Sequence, residues 1–243
     1  MKLRIAARLL RVLAHLIMGL CLCGLLFPFL GHDQRMARIR RWSRQLLRIF
    51  GVSAEQAPAG GGAANGLWVA NHVSWIDIFV INALFPSRFV AKSEVRGWPL
   101  VGVLCAWAGT IFVKRANPRD LRQTMAIMAG ALGKGERIVV FPEGTSAAQG
   151  SLLPFRANLF EAAIEAGVTV QPVSIRYLDK EGKLHRAVEY IGNTSLIESM
   201  VAILSAGPIH ARLAVLPAFG VDDTDRQALA RRAHRAVADQ LAG

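Results

Sequence analysis

From Val12 to Gly31 the chain runs for twenty residues without a formal charge. As a helix this run would extend about 30 Å, the depth of a bilayer's hydrocarbon core. Arg4, Arg8 and Arg11 precede it, and Arg35, Arg38, Arg40, Arg41, Arg44 and Arg48 follow it. Both flanks therefore carry the charge that ordinarily stays cytoplasmic, and orientation is left open. Pro28 and Gly31 also permit a kinked segment that enters and leaves one leaflet. A spanning helix and a monotopic or re-entrant anchor both fit; a cleaved signal peptide fits less well, because no small-residue cleavage site follows. Between Arg35 and Phe50, Met36, Ile39, Trp42, Leu46, Leu47 and Phe50 recur at three-to-four spacing with arginines between them. That pattern predicts a basic amphipathic helix, suited to lie among headgroups with Trp42 at the interface or to pack as a surface helix.

Residues 51–66, GVSAEQAPAGGGAANG, have linker composition. Beyond them short apolar runs alternate with longer helical patterns. The runs predict strands at Leu67–Ala70, Arg88–Ala91, Thr110–Val113, Arg137–Phe141, Thr169–Ile175, Ala187–Ile191 and Ala211–Leu216, with helices near 75–84, 98–107, 118–132, 156–166, 195–205 and 223–241. The expected organisation is a membrane anchor with its basic helix over 1–50, a linker over 51–66, and an α/β domain over 67–243. That domain is a mixed sheet of about seven strands with packed helices. In such folds ligands sit at strand ends, where the turns emerge.

Composition narrows the class. Hydrophobic residues make up 53% of the 243, charged residues 19%, and mean hydropathy is +0.33, too apolar for disorder and high for a soluble enzyme. The net charge of +12 is local: residues 1–50 hold ten bases and one acid, Asp33. An excess so placed suits anionic lipid, and a nucleic-acid partner finds no motif or aromatic support in the main domain. Three cysteines, without zinc-type clustering, indicate neither a disulfide framework nor a metal site, and a reducing, cytoplasmic face follows. The glycines of GGGAANG lack the preceding strand of a dinucleotide fingerprint, and no P-loop, GxSxG elbow or HExxH is present.

Two turns interrupt apolar sequence with polar clusters: Asn71-His72-Val73-Ser74-Trp75-Ile76-Asp77 and Phe141-Pro142-Glu143-Gly144-Thr145. His72 and Asp77 are five apart, and on one regular helix such positions diverge by about 140°. They meet only if His72 sits in the turn before the helix that carries Asp77. An Asp accepting from one ring nitrogen leaves the other as a lone-pair base for a hydroxyl proton. The spacing alone is weak, and Glu143, flanked by Pro142 and Gly144, equally suits a helix cap.

Taken in order, NHVSWID, GTIFVKR, VFPEGT and VQPVSIR resemble the four blocks of the 1-acylglycerol-3-phosphate acyltransferase family, membrane-bound glycerolipid acyltransferases, over about residues 67 to 177. The resemblance implies transfer of an acyl chain from acyl-CoA or acyl carrier protein to the free hydroxyl of a lysophospholipid, with no further cofactor and no metal. It implies His72 as general base and Asp77 as its orienting partner. Arg115 is then the headgroup contact, and Glu143, Gly144 and Thr145 form the acceptor pocket, while Pro172 marks the fourth block. Lys92 is a second anion contact by the same resemblance, whereas Ser74 reads as a turn residue and Cys105 as packing. The implied location is a membrane surface with the site on the cytoplasmic face, the inner membrane in a bacterium.

Two departures bear on the acceptor. Phosphatidic-acid-forming members often place an arginine after FPEGT, where this chain has Ser146; and Asn158 stands where many members have glycine. The stretch LLPFRANLFEAA looks closer to the lyso-ornithine-lipid acyltransferase branch, and Arg156 is a replacement cation from another direction. Lysophosphatidate is the first expectation for the acceptor and lyso-ornithine lipid the alternative; a thioesterase, with water in place of the acceptor, and a non-catalytic lipid-binding scaffold are the rivals.

Overall fold

In the computed structural model, which describes residues 2–58, 65–113, 118–222 and 224–243, two helices lead into a sheet covered on both faces. The uncharged run and its preceding arginines form α1 (Lys2–Leu25), followed by a 3-10 turn at Phe27–Phe29. The predicted amphipathic helix is α2 (His32–Phe50). It ends at Gly51, whose φ of 75° is a left-handed helix stop that glycine adopts without Cβ strain. The domain continues through β1 (Val52–Gln56), β2 (Gly66–Ala70), α3 (Asp77–Leu84), β3 (Arg88–Lys92), α4 (Val101–Trp107), β4 (Ile111–Val113) and α5 (Pro118–Gly133). β5 (Arg137–Val140), α6 (Glu161–Ala166), β6 (Val170–Leu178), α7 (Leu196–Ser205), β7 (Ile209–Val215) and α8 (Arg226–Ala242) complete it.

The seven strands lie in the order β1-β7-β6-β2-β5-β3-β4, and every pairing is parallel except β6 with β7. β2 sits at the centre and reads as an unbroken apolar run because helices cover both its faces. Trp68 and Ala70 pack on one side with Leu46, Phe50, Val80 and Ile203 of α2, α3 and α7. Leu67 and Val69 pack on the other with Met128, Leu132, Ala163 and Leu229 of α5, α6 and α8.

The α/β reading with about seven strands holds, but one of the seven is a different segment. Ala187–Ile191 forms a 3-10 turn over Arg186–Val188 and then a loop, because the edge of β6 beyond β2 is already met by the Asn71 and Gln149 amides and by Leu184 and His185. The seventh strand is β1, inside the span whose composition suggested a linker. As an edge strand pairing only with β7, it buries Val52 and leaves most of its remaining residues in water, so its sequence, VSAEQ, carries little strand signal. Residues 59–64 of that span lie outside the described residues.

α1 is long and apolar enough to cross a membrane, yet one of its faces is docked on the domain. Val12 is buried in the same core as Leu46, Leu47 and Phe50. The Arg8 guanidinium donates to the carbonyl of Leu204 at the end of α7 (2.8 Å). His15 stacks on Trp42 with ring centres 4.5 Å apart, and the Trp42 indole N–H donates to the His15 carbonyl. One turn on, Gly19 lets the two helices approach: a Cβ there would stand 2.7 Å from Trp42 Nε1, an atom already held by that bond. Cys23 and Phe27 pack with Ile39 of α2. The opposite face, with Leu10, Leu13, Ile17, Met18, Leu25 and Phe29, is exposed.

Candidate active site

β2 and β5 are parallel neighbours in register, Val69 beside Val140, so the segments that follow them leave the sheet side by side. One carries His72 and Asp77 and the other Phe141 to Thr145. The sheet thus brings together two clusters about seventy residues apart in sequence.

His72 lies in the turn before α3, and Asp77 is the first residue of that helix. The His72 Nδ1 to Asp77 Oδ2 distance is 2.8 Å. The backbone N–H groups of Val73 and Ser74 donate to the same oxygen (2.8 and 2.9 Å). A carboxylate only accepts, so the imidazole carries a proton on Nδ1, and in the neutral ring Nε2 is then the free lone pair. Asp77 is fully buried, while the His72 side chain keeps 20% of its surface open. The imidazole lies flat on Phe141, with ring centres 4.1 Å apart and planes 17° from parallel, which fixes the direction Nε2 faces.

Glu143 fastens the two turns to each other. One carboxylate oxygen accepts from the His72 backbone N–H (2.7 Å) and the other from that of Leu153 (2.8 Å). It is buried, and burial pushes its carboxyl upward, opposed by those same N–H groups. Ala147 N–H donates to the His72 carbonyl as a further tie (2.8 Å). Gly144 has a φ of 76°, and a Cβ there would stand 2.8 Å from the Arg156 guanidinium carbon. The left-handed φ favours glycine there, and the exposed Arg156 cation lies over the turn, beside exposed Thr145.

Past Ala70, where β2 stops, β6 continues along an edge with no strand beside it. Two side-chain amides take the strand's place. Asn71 Oδ1 accepts from Ile175 N–H (2.7 Å) while its Nδ2 donates to the Ile175 carbonyl (3.0 Å). Gln149 does the same at Tyr177, accepting from N–H (2.7 Å) and donating to the carbonyl (3.2 Å). Asn71 immediately precedes His72, and Gln149 follows the Glu143 turn, so both clusters are pinned to β6.

The structure therefore brings His72, Asp77, Glu143, Gly144 and Arg156 together. Lys92 ends β3 at the same edge of the sheet, two strands from β2, and is exposed. Arg115 lies outside the described residues. Ser146 is committed within the protein, its hydroxyl donating to the Tyr190 carbonyl. Cys105 is half-buried on α4, and burial pushes its thiol upward, away from a thiolate nucleophile. Among the described residues no group of three His, Cys, Asp or Glu side chains is placed to hold a metal ion. Phe141 and Asn71 stood in the two turns that the sequence singled out but were given no role there, and Gln149 and Tyr177 were given none either. The one usable signal was Tyr177, a phenol at a core-facing position of a strand that otherwise points Val173 and Ile175 inward.

A family model described as Acyltransferase matches residues 49–176, from the end of α2 to β6. The chain belongs to the acyltransferase family. Among its relatives, a lyso-ornithine lipid O-acyltransferase of Pseudomonas aeruginosa is 38% identical over 211 residues, covering 85% of this chain and 79% of that one. A 1-acyl-sn-glycerol-3-phosphate acyltransferase of Neisseria meningitidis is 34% identical over 199 residues, covering 81% and 78%. The crystal structure of the 1-acyl-sn-glycerophosphate acyltransferase from Thermotoga maritima superposes with a TM-score of 0.65 at 22% identity, covering 97% of this chain and 96% of that one. That likeness concerns the fold of this acyltransferase, including the long apolar helix before its sheet.

Proposed function

We propose that this acyltransferase moves an acyl chain from an acyl thioester to the free hydroxyl of a lysolipid, with His72 as general base. The observation that carries the reading is the His72–Asp77 bond, with its buried carboxylate and its imidazole open on the far side. His72 Nε2 takes the acceptor's hydroxyl proton, and the oxygen attacks the thioester carbonyl. As the carbon–sulfur bond breaks, the imidazolium returns the proton to the leaving thiolate, so ester and thiol are the products. Holding the two substrates together supplies much of the acceleration. The thiol carrier is coenzyme A or acyl carrier protein, which places the site on the cytoplasmic face. Glu143, whose two oxygens both accept backbone N–H groups, acts by holding the turn and not as an acceptor contact. Arg156, Arg115 and Lys92 supply the headgroup cations.

For the acceptor we set lyso-ornithine lipid, which carries a carboxylate and an amine, ahead of lysophosphatidate. Ser146 supplies no cation, and its hydroxyl is spent on Tyr190, which supports a weaker anion clamp than phosphate favours. Relatives named for lyso-ornithine lipid, at 38% and 37% identity, and relatives named for 1-acyl-sn-glycerol-3-phosphate, at 34% and, over about half the chain, 43%, stand close together, so the order rests on Ser146.

The exposed apolar face of α1 and the exposed Trp98, Val103 and Trp107 beside it support an anchor that enters one leaflet. Contacts to the domain run along α1 from Arg8 to beyond Cys23, so a spanning helix would draw α2 and α7 into hydrocarbon with it.

His72→Ala is expected to lower acyl transfer by about 10²–10⁴-fold with the protein still folded, and Asp77→Asn by a smaller factor. A His72→Ala enzyme keeping more than about a tenth of the activity would be incompatible with a base in that position. With one acyl donor, kcat/KM should favour lyso-ornithine lipid, and Ser146→Arg should move preference towards lysophosphatidate. A wild-type preference for lysophosphatidate of about tenfold, or about 1.4 kcal/mol in transition-state binding, would reverse the acceptor order. Leu13→Glu with Ile17→Glu, both on the outward face, should weaken co-sedimentation with anionic vesicles at least about tenfold while leaving thermal stability unchanged. Undiminished binding would place the membrane contact elsewhere.

A further inference from the structure

Asp77 Oδ2 holds His72 and two backbone amides, which leaves Oδ1 inside the protein with no water to meet it. Its partner is the Tyr177 hydroxyl on β6, which donates to Oδ1 at 2.5 Å. We propose that Tyr177 is a positioning residue for acyl transfer, fixing the Asp77 carboxylate in its plane and sharing its charge so that the His72 lone pair stays aimed at the acceptor. The inference rests on the reading of His72 as base.

The surroundings of Tyr177 suit that role. It is fully buried, and burial together with the Asp77 charge holds the phenol well above its ordinary range, so it remains a donor. Its backbone is locked on both edges, by pairing with Ala211 of β7 and by the Gln149 amide. The phenol therefore reaches Asp77 from a fixed base. With Tyr177 and the two amides in place, both oxygens of Asp77 are engaged from different directions, and the carboxylate cannot turn about its bond to Cβ without breaking several bonds at once. Glu143, from the turn after β5, also interacts with the pair, through the His72 backbone.

Tyr177→Phe removes one oxygen and leaves the ring. In the full chain in vesicles it is expected to lower kcat about tenfold, with the acceptor KM within about twofold. A buried carboxylate that loses a donor takes up a proton more readily. The acidic limb of the rate profile should therefore move to higher pH, which loss of packing alone would not cause. In an Asp77→Asn background the same substitution should change kcat less than about twofold, because no carboxylate remains to be held. A second route avoids the deletion. The chain has two tyrosines, so after Tyr190→Phe, biosynthetic 3-fluorotyrosine labels Tyr177 alone. The more acidic phenol donates more strongly, and the acidic limb should move to lower pH relative to the unfluorinated Tyr190→Phe parent. This arm carries the test if Tyr177→Phe does not fold. An unmoved limb in the folded variants, or a kcat loss that persists undiminished with Asp77→Asn, overturns the proposal. His72→Ala measured alongside separates the two readings. Activity there removes the base and the ground for this role, whereas an inactive His72→Ala beside an unaffected Tyr177→Phe removes the positioning role alone.

Discussion

Asp77 carries a carboxylate into a place with no solvent access, and a charge so placed persists only where donors replace the water it has lost. Here the replacements come from two parts of the fold, the turn after β2 and the strand β6. The turn after β2 gives two amides, His72 gives its ring N–H, and β6 gives the Tyr177 hydroxyl. Removing any one leaves a buried acceptor short of a partner, which costs about 1–3 kcal/mol at a neutral site and more at a charged one. The turn, the histidine rotamer and the register of β6 against β2 are therefore not independent choices. Each is held by the same two oxygens.

That demand explains why the strands sit as they do. Parallel neighbours β2 and β5 send their outgoing turns to one edge, and Glu143 ties the second turn to the backbone of His72. β6 must extend beyond β2 to bring Tyr177 level with Asp77, and an extended strand with a bare buried edge would leave unpaired peptide groups. Asn71 and Gln149 close that edge with side-chain amides, each offering one donor and one acceptor as a strand residue would. The stretch from Ser146 to Gly150 is thus bound up with β6. Its hydroxyl meets Tyr190 and its amide meets Tyr177.

Much of this could be read in the chain. Apolar runs bounded by turn residues located six of the seven strands within a few positions, because buried parallel strands advertise themselves by continuous hydrophobicity. β1 did not, since an edge strand with one buried valine looks like any polar loop; Ala187–Ile191 looked like a strand, but the edge of β6 that it would have joined is closed by side-chain amides. Helical geometry allowed the His72–Asp77 contact only across a turn, and the resemblance of the four blocks is what singled the pair out. Glu143 was found as a residue, although its two backbone bonds were not, because a carboxylate facing substrate and one facing N–H groups have the same letter. Tyr177 and Gln149 were hidden for a related reason: their importance lies in which strand is beside which, and periodicity records faces, not neighbours.

The membrane end of the molecule follows a separate logic and meets the domain through α2 and α7. Its helix was plain from the uncharged run, but its docked face was not, since His15 and Gly19 show no sequence sign of the indole between them. The claim on which the proposed chemistry turns is the state of the His72 ring. Nitrogen-15 spectra of the imidazoles near neutral pH, with His72 assigned by its absence in His72→Ala, test it directly. The proposed base requires a proton on Nδ1 and a free lone pair on Nε2, with that preference lost in Asp77→Asn. A His72 ring protonated on Nε2 alone would contradict it.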